Sequence, residues 1–306
     1  VKLAAAFSGI TSHTGDITIT DLVSIDQLTT ISSATSGSVN YTGVTDVASK
    51  LVPGGNAHSY ITGNYTVTVQ DQVSLPQLIA INAATSSAIT LNVTSGTLSG
   101  SAADLANAFD GTITEYTGTL SVTGSAANLL QSEVIFNATS GTSTYAVADL
   151  SNTLAVAPAT ATQMAALKNA SSVTVNSSAI QTTIDMSGFS GDNAVNLSIN
   201  GNSFGNTITG GDGNDTIDAN NGSDTIYGAL GDDNITSDIG NDIHVFSTTK
   251  SLNGSDTVTD FNAASDTVLF LFGGTSEIAN NAALRGDGTD YLEVASTGAI
   301  GADVGL

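Results

Sequence analysis

The sequence contains no cysteine and no tryptophan, only three prolines, and only five lysine or arginine residues among 306. The lack of cysteine fits a protein that is exported without relying on disulfides. The shortage of basic residues leaves a formal net charge of −23. Binding to nucleic acid or to an anionic membrane requires basic patches, so neither is expected as a partner.

Long apolar runs and aromatic residues are also scarce. No run reaches the roughly 18 apolar residues that a membrane-spanning helix needs, so no membrane span is predicted. Hydrophobic residues make up 40% of the chain but aromatic residues only 5%, which favours the small aliphatic cores of repeat proteins. The chain starts at Val1 without a basic and apolar leader, so we expect a fragment of a longer protein or a processed form.

Residues 201–245 repeat one nine-residue phrase five times. Each copy has a loop half rich in Gly, Asn and Asp, and a three-residue strand half whose central residue should face inward. The chain should therefore coil with two copies per turn, and loops on the same edge should lie two copies apart. The copies are GNSFGNTIT (201–209), GGDGNDTID (210–218), ANNGSDTIY (219–227), GALGDDNIT (228–236) and SDIGNDIHV (237–245). The predicted inward residues are Ile208, Ile217, Ile226 and Ile235.

Stacking of these loops should bring carboxylates together. Stacked strands lie only about 4.8 Å apart, so Asp215 should converge with Asp233, and Asp224 with Asp242. Carboxylates and loop carbonyls without His or Cys make an oxygen-rich cage that suits Ca²⁺. The predicted metal ligands are Gly210, Asp212, Asp215, Asn221, Ser223, Asp224, Gly228, Leu230, Asp232, Asp233, Asp238, Gly240, Asp242, Asp256, Asp260 and Asp266. The alternative is a solenoid whose acidic residues are only solvated.

The repeated phrase is similar to the motif G-G-x-G-x-D-x-U-x of calcium-binding parallel β-rolls. On these residues the segment resembles the RTX, or hemolysin-type calcium-binding repeat, family of secreted bacterial proteins. The resemblance implies bound Ca²⁺, an extracellular or cell-surface location, and export by a type I system.

The copies are not equivalent. The first has Phe204 at a loop glycine position and Asn206 in place of the aspartate, so a site built on it should be weak or absent. The fifth has His244 at the inward position. The phrase SLNGSDTVT (251–259) follows five inserted residues and brings Asp256 and Val258 back into register. Two well-formed calcium sites and one to three weaker ones are expected.

Residues 1–180 repeat two phrases of their own. The first, at 27–36, 77–86 and 163–172, has apolar residues three apart that predict a short helix, followed by a β-type run. The second alternates with the first and predicts one helical turn, with Ser101 and Ser125 as N-caps. Its copies lie at 47–51, 101–105, 125–129 and, more loosely, 147–150. Anchoring residues lie at 28, 51, 78, 105, 129, 150 and 164. Most of their spacings are 21–27 residues, which is the length of one solenoid coil.

The predicted fold is dominated by β-structure and has three parts. Residues 1–180 should form a β-solenoid of strands and short helical turns, 181–269 a parallel β-roll with calcium loops, and 270–306 a C-terminal cap. No Pro-rich or Gly/Ser-rich tether separates the first two parts, so a continuous rod is expected. Residues 259–272 resemble the strands that close such rolls. A hairpin at 286–294 should cover the open end, which would otherwise expose a strand edge.

No catalytic motif accompanies the repeats. The sequence has no G-x-S-x-G, H-E-x-x-H or P-loop motif and no cysteine nucleophile, and its three histidines are scattered, so an enzyme is not expected. The first hypothesis is an extracellular, calcium-dependent structural protein that assembles with itself into a surface layer, sheath or filament. Two alternatives stay open: an RTX adhesin or binding rod that contacts a cell-surface glycan, and the non-catalytic part of a type I-secreted enzyme.

Overall fold

The computed structural model describes residues 2–10, 12–150, 154, 160–247, 253–272, 275–278 and 293–294. The chain divides into two compact units. The first consists of Val1–Ala126 with Gln131–Tyr145, and the second of Ala127–Leu130 with Ala146–Leu306. The predicted domain limits at residues 180 and 269, and the solenoid expected over residues 1–180, stay predictions.

The α-helices of the described residues are short, and four of them, α2, α4, α5 and α7, follow a Ser or Thr N-cap. They are α1 (Lys2–Phe7), α2 (Ile25–Ala34), α3 (Ala48–Leu51), α4 (Leu75–Ala84), α5 (Ala102–Phe109), α6 (Leu129–Asn137) and α7 (Ala161–Asn169). The helical phrases predicted at 27–36, 77–86 and 163–172 fall on α2, α4 and α7. The glutamine that opens the first two copies is a capping-box residue, because Gln27 and Gln77 accept the N–H of Ser24 and Ser74 at 3.0 and 3.1 Å.

Strands of the first unit pair in parallel. They are β1 (Ile17–Ile19), β2 (Val39–Tyr41), β3 (Gly43–Asp46), β4 (Thr66–Val69), β5 (Ile89–Leu91), β6 (Thr97–Gly100), β7 (Thr119–Val122) and β8 (Ser143–Thr144). The sheets are β1–β2, β3–β4–β5 and β6–β7–β8. Val44, Val67 and Ile89 stand in register across the second sheet and are at most 1% exposed. The β-type runs predicted beside the helices are therefore confirmed.

The structure reveals a further copy of the first phrase that the sequence analysis does not predict. Residues 131–141 (QSEVIFNATSG) match 27–37 (QLTTISSATSG) and follow the same path from α6 into a turn. After α2, the Thr35 hydroxyl donates to the carbonyl of Gly15, and after α6 the Thr139 hydroxyl donates to that of Gly118. The copy was missed because its anchoring leucine is replaced by Ser132, which is fully buried.

Two helical turns predicted from the second phrase are wrong. The segment at 125–129 is not a turn capped by Ser125: α6 begins only at Leu129, and Ala127 is held in a parallel bridge with Val147. The segment at 147–150 is a strand, β9 (Val147–Leu150), because it pairs along its whole length with the strand Val173–Asn176. By contrast, Ser101 caps α5 as predicted and accepts the N–H of Asp104 at 3.1 Å.

Aspartates in or just after distant strands cap three of these helices. The buried Asp46 accepts the N–H of Ile25 at 3.1 Å, and Asp71 accepts that of Ala48 at 2.7 Å. Within the second unit, Asp149 accepts the N–H of Leu129 at 3.1 Å. Each acceptor lies 20 to 23 residues after its donor. A carboxylate at a helix N-terminus satisfies an otherwise orphaned N–H and complements the helix dipole.

Removal of the Asp46 carboxylate should therefore destabilise the first unit. Asp46→Ala leaves the N–H groups of Ile25 and Val47 without the acceptors they have at 3.1 and 2.9 Å. We expect the free energy of unfolding to fall by about 1–3 kcal/mol. Urea unfolding followed by circular dichroism measures it, with the exposed Asp21→Ala as the matched control. Equal stability of the two variants would contradict the capping role.

From β10 to β19, successive strands of the second unit alternate between two sheets. After β9 they are β10 (Val173–Asn176), β11 (Thr183–Asp185), β12 (Leu197–Asn200), β13 (Thr207–Thr209), β14 (Thr216–Asp218), β15 (Thr225–Tyr227), β16 (Asn234–Thr236), β17 (Ile243–Ser247), β18 (Thr257–Val258), β19 (Thr267–Phe272), β20 (Thr275–Ile278) and β21 (Glu293–Val294). One sheet has the order β21–β18–β16–β14–β12–β10–β9, and the other β11–β13–β15–β17–β19–β20. All pairs are parallel except β19–β20. Copies two apart thus stack, as predicted, in the pattern of a parallel β-roll.

The inward residues form the core between these two sheets. Ile208, Ile217, Ile226 and Ile235 are at most 1% exposed, as their position in the phrase predicts. His244 is also fully buried and stands in register between Ile226 and Val268. Val258 pairs with Ile235, so the predicted return to register after the insertion is confirmed.

At the C-terminus, the strands predicted at 259–272 include β19, which pairs with β20. The hairpin predicted at 286–294 lies outside the described residues except for β21, which pairs in parallel with β18. No helix in the described part of the chain is long and apolar enough to span a membrane.

Candidate metal centre

The residue immediately before each roll strand from β14 to β19 is an aspartate. These six residues, called the inner aspartates below, are Asp215, Asp224, Asp233, Asp242, Asp256 and Asp266. All but Asp266 are at most 9% exposed. They are buried because each lies two residues before the inward position of its strand, and residues two apart in a strand face the same side.

Each inner aspartate accepts the backbone N–H of the equivalent residue in the preceding loop on the same edge. The donor–acceptor distances to Oδ1 are 2.8 Å for Leu197 to Asp215, 2.6 Å for Asn206 to Asp224, 2.8 Å for Asp215 to Asp233, 2.8 Å for Asp224 to Asp242, 3.0 Å for Asp233 to Asp256 and 3.3 Å for Asp242 to Asp266. Stacked strands are joined by backbone hydrogen bonds, and the stacked loops are joined by these side-chain hydrogen bonds.

The second carboxylate oxygen distinguishes the inner aspartates from one another. Oδ2 of Asp224, Asp233 and Asp242 is buried and has no hydrogen-bond partner. A buried carboxylate oxygen without a donor is costly, and native proteins rarely leave one so. Asp215 differs from these three, because its Oδ2 accepts the N–H of Gly211 at 2.9 Å.

Backbone oxygens crowd the same spaces. A Cβ on Gly228 would lie 2.1 Å from Oδ2 of Asp233, and one on Gly210 would lie 2.3 Å from the carbonyl oxygen of Gly228. On the other edge, a Cβ on Gly240 would lie 1.7 Å from the carbonyl oxygen of Gly222. Glycine is required at these positions because loops and carboxylates approach so closely. Unpartnered carboxylate oxygens beside carbonyl oxygens fit a hard divalent cation such as Ca²⁺.

The electrostatics of the inner aspartates favour a nearby positive charge. Burial raises the pKa of Asp215, Asp224 and Asp256 to about 6 and that of Asp233 to about 8. Burial also raises the pKa of Asp242. For Asp233, the negative charges of Asp215 and Asp256 add to the effect of burial. The anionic form is thus disfavoured unless a cation compensates it.

Other predicted ligands lie away from this inner row. Asp212 accepts the N–H of Gly191 at 2.7 Å, and Asp260 accepts the N–H groups of Ser237 and Asp238. The remaining predicted residues are on the outside of the loops: Asn221, Ser223, Asp232 and Asp238 are exposed, and Leu230 is half-buried. Among the described residues, no three His, Cys, Asp or Glu side chains could hold a metal ion by themselves. A cation would therefore rest on carboxylates completed by carbonyl oxygens.

A second row of side chains was missed by sequence reasoning. Asn196 accepts the N–H of Asn214, Asn214 accepts that of Asp232, and Asp232 accepts that of Ser255, at 2.9, 2.9 and 2.8 Å. This outer row runs opposite to the inner row, since each side chain here accepts from the later loop. The first two steps of 18 residues, from Asn196 to Asn214 and on to Asp232, were the signal that could have revealed it.

In the third, fourth and fifth copies, the second residue of the phrase has a left-handed backbone. Asn220, Ala229 and Asp238 have φ of 62°, 79° and 60° there. Asn and Asp tolerate this conformation, whereas for other non-glycine residues it costs about 1–2 kcal/mol. Ala229 is therefore a strained residue at a place where the family phrase has glycine.

Ala229→Gly should relieve that strain. Because glycine also gains freedom in the unfolded chain, we expect a net rise in the free energy of unfolding of about 0.5–1 kcal/mol. Chemical unfolding in the presence of calcium measures it. Asn220→Gly is the matched control and should have a smaller effect. A fall in stability for Ala229→Gly would contradict the strain.

A family model described as the RTX calcium-binding nonapeptide repeat, in four copies, matches residues 200–235 and 209–243. The matched segment contains four of the inner aspartates, from Asp215 to Asp242. Neither the search of curated proteins nor the search of solved structures gave a match.

Proposed function

Residues 200–243 are RTX-type calcium-binding repeats, and from this premise we propose that the chain is an extracellular, calcium-dependent structural protein that assembles with itself into a surface layer, sheath or filament. The observation that carries the proposal is the row of buried inner aspartates, three of which hold a carboxylate oxygen without a partner. Bound calcium would compensate the negative charge of these carboxylate oxygens.

The inner aspartates would couple folding to calcium. Asp224, Asp233 and Asp242 approach the preceding loop through Oδ1 and leave Oδ2 free for the cation. In the unfolded chain these residues lie far apart, so the free energy of calcium binding becomes free energy of folding. The roll would be only marginally stable where calcium is scarce and would become stable after export.

Self-assembly has to overcome the electrostatic repulsion between negatively charged copies of the chain. Copies with a net charge of −23 repel one another, and calcium held between exposed acidic side chains would reduce that repulsion. Asp232 and Asp238, on the outside of the loops, are placed for such contacts. The parallel sheets β3–β4–β5 and β6–β7–β8 support a solenoid in the first unit. The proposal gives the chain no catalytic role.

Electron microscopy of negatively stained protein tests the proposal, with circular dichroism recorded on the same samples. Millimolar calcium should produce ordered sheets or filaments that disappear on chelation, and magnesium at the same concentration should not. A β signal that rises with calcium while particles stay monomeric would overturn self-assembly and favour the adhesin. No response to calcium in either measurement would overturn calcium binding as well.

A further inference from the structure

The first repeat, at 201–209, carries an amide where the later repeats carry a carboxylate. Asn206 precedes β13 as the inner aspartates precede the following strands, and it is only 2% exposed. Its Nδ2 donates to the carbonyl of Gln181 at 2.9 Å and to Oδ1 of Asn202 at 3.3 Å. Its Oδ1 accepts the N–H of Asn202 at 3.0 Å. Both ends of this buried side chain therefore have partners.

A second amide reaches the same place. Nδ2 of Asn202 donates to the carbonyls of Ser178 and Gln181 at 2.8 and 2.7 Å, and Oδ1 accepts the N–H of Phe204 at 2.9 Å. Two amide nitrogens thus converge on one carbonyl oxygen, that of Gln181. The orientation is fixed by these partners, because turning either amide around would set oxygen against oxygen and N–H against N–H.

In the next loop on this edge, a buried side-chain oxygen lacks a hydrogen-bond donor. Asp224, 18 residues after Asn206, accepts the N–H of Asn206 through Oδ1, and its buried Oδ2 has no partner. A carboxylate can only accept, so oxygens that meet in such a loop require a cation between them. An amide nitrogen is itself a donor and can satisfy a carbonyl oxygen directly.

We propose that Asn202 and Asn206 form an amide lock with the carbonyls of Ser178 and Gln181, which takes the place of a cation at the first repeat. Residues 197–209 then fold without metal, and their loop is already ordered when the metal-dependent repeats pack against it. The locked loop already supplies both bonds that the next one needs: the N–H of Asn206 for Asp224, and its carbonyl for the N–H of Thr225 at 2.8 Å. The part that concerns the later repeats rests on the proposed function.

Hydrogen exchange of the full chain, read by mass spectrometry with calcium and with a chelator at neutral pH, tests the lock. In the chelator, the amides of 197–209 whose acceptors lie at or before residue 206 should stay protected. These are the amides of Asn202, Phe204 and Thr207, which donate to Oδ1 of Asn206, Oδ1 of Asn202 and the carbonyl of Thr182 at 3.0, 2.9 and 2.7 Å. Amides within 216–245 should exchange at least about tenfold faster than with calcium. Loss of protection in 197–209 together with 216–245 would overturn the lock.

Two matched substitutions separate the amide from the fold around it. Asn206→Asp removes the donor to Gln181 and should abolish protection of 197–209 in the chelator. Calcium should restore that protection, and isothermal titration should find one more bound ion per chain than in the wild type. Asn214→Asp adds the same charge on the outer row, where the side chain acts through its oxygen, and should leave 197–209 protected without metal.

The outcomes distinguish the two ideas. If 216–245 does not respond to calcium, the proposed function fails, while the lock is still judged by 197–209 in the chelator. If Asn206→Asp leaves 197–209 protected in the chelator, or if calcium fails to restore the protection, the lock is wrong whatever calcium does elsewhere.

Discussion

Asp233→Asn is expected to change stability in opposite directions with and without calcium. The side chain keeps its shape, and its oxygen can still accept the N–H of Asp215, now at 2.8 Å. The buried charge disappears, however, together with the unpartnered oxygen beside Gly228. Without metal the folded state should become more stable, because an uncompensated buried carboxylate is costly. With calcium it should become less stable than the wild type.

The expected loss of calcium affinity is large. Loss of an outer-shell partner commonly lowers metal affinity by about 10- to 100-fold, and loss of a ligand should cost at least as much. Isothermal titration gives the affinity, and urea unfolding in chelator and in calcium gives the two stabilities. Asp218→Asn, which removes the same charge outside the inner row, is the control. Unchanged calcium binding would refute the ligand role of Asp233, and a fall in metal-free stability would refute the unpaired buried charge.

Without calcium, the repeat segment should lose stability as the pH rises. The pKa of Asp215, Asp224 and Asp256 is raised to about 6 and that of Asp233 to about 8, against about 4 in the unfolded chain. The folded state therefore binds more protons than the unfolded state between about pH 4 and pH 8. Stability from these groups is fully present below the unfolded pKa and is lost as the pH rises through the folded values.

The slope is steep because several carboxyls titrate together. Each one protonated only in the folded state contributes up to about 1.4 kcal/mol per pH unit. Thermal unfolding in chelator at pH 5, 6, 7 and 8 should show falling stability. In saturating calcium the trend should reverse, since protons compete with the cation for the same oxygens. Asp233→Asn should flatten the chelator profile near pH 8. A metal-free stability that rises with pH would contradict the burial of these groups.

Local pattern was enough to predict the parallel roll. The position of the inward isoleucines follows from strand alternation, which is a property of neighbouring residues. The stacking of loops two copies apart follows from the constant length of the phrase. Apolar residues three apart, which are also a local signal, predicted the positions of α2, α4 and α7.

Tertiary contacts determined the conformation of the segments that the sequence pattern predicted wrongly or missed. Ser125 and 147–150 look helical by analogy with other copies, yet Ala127 and Val147 bridge to each other and extend both segments. The copy in α6 was hidden because Ser132 occupies a buried place that leucine fills elsewhere. For 125–129 and 147–150, parallel partners 20 to 26 residues away along the chain fixed the conformation.

For the candidate site too, some features follow from the sequence and others only from the structure. Sequence alone gave the aspartates, their spacing and the preference for a hard cation, since these depend on residue type and period. Only the structure shows that Oδ1 of each inner aspartate is taken by the preceding loop, that Oδ2 is left free at Asp224, Asp233 and Asp242, and that Asn206 has no such oxygen. The partner of a buried polar atom comes from another turn of the chain, and the one-dimensional order of residues does not specify its distance.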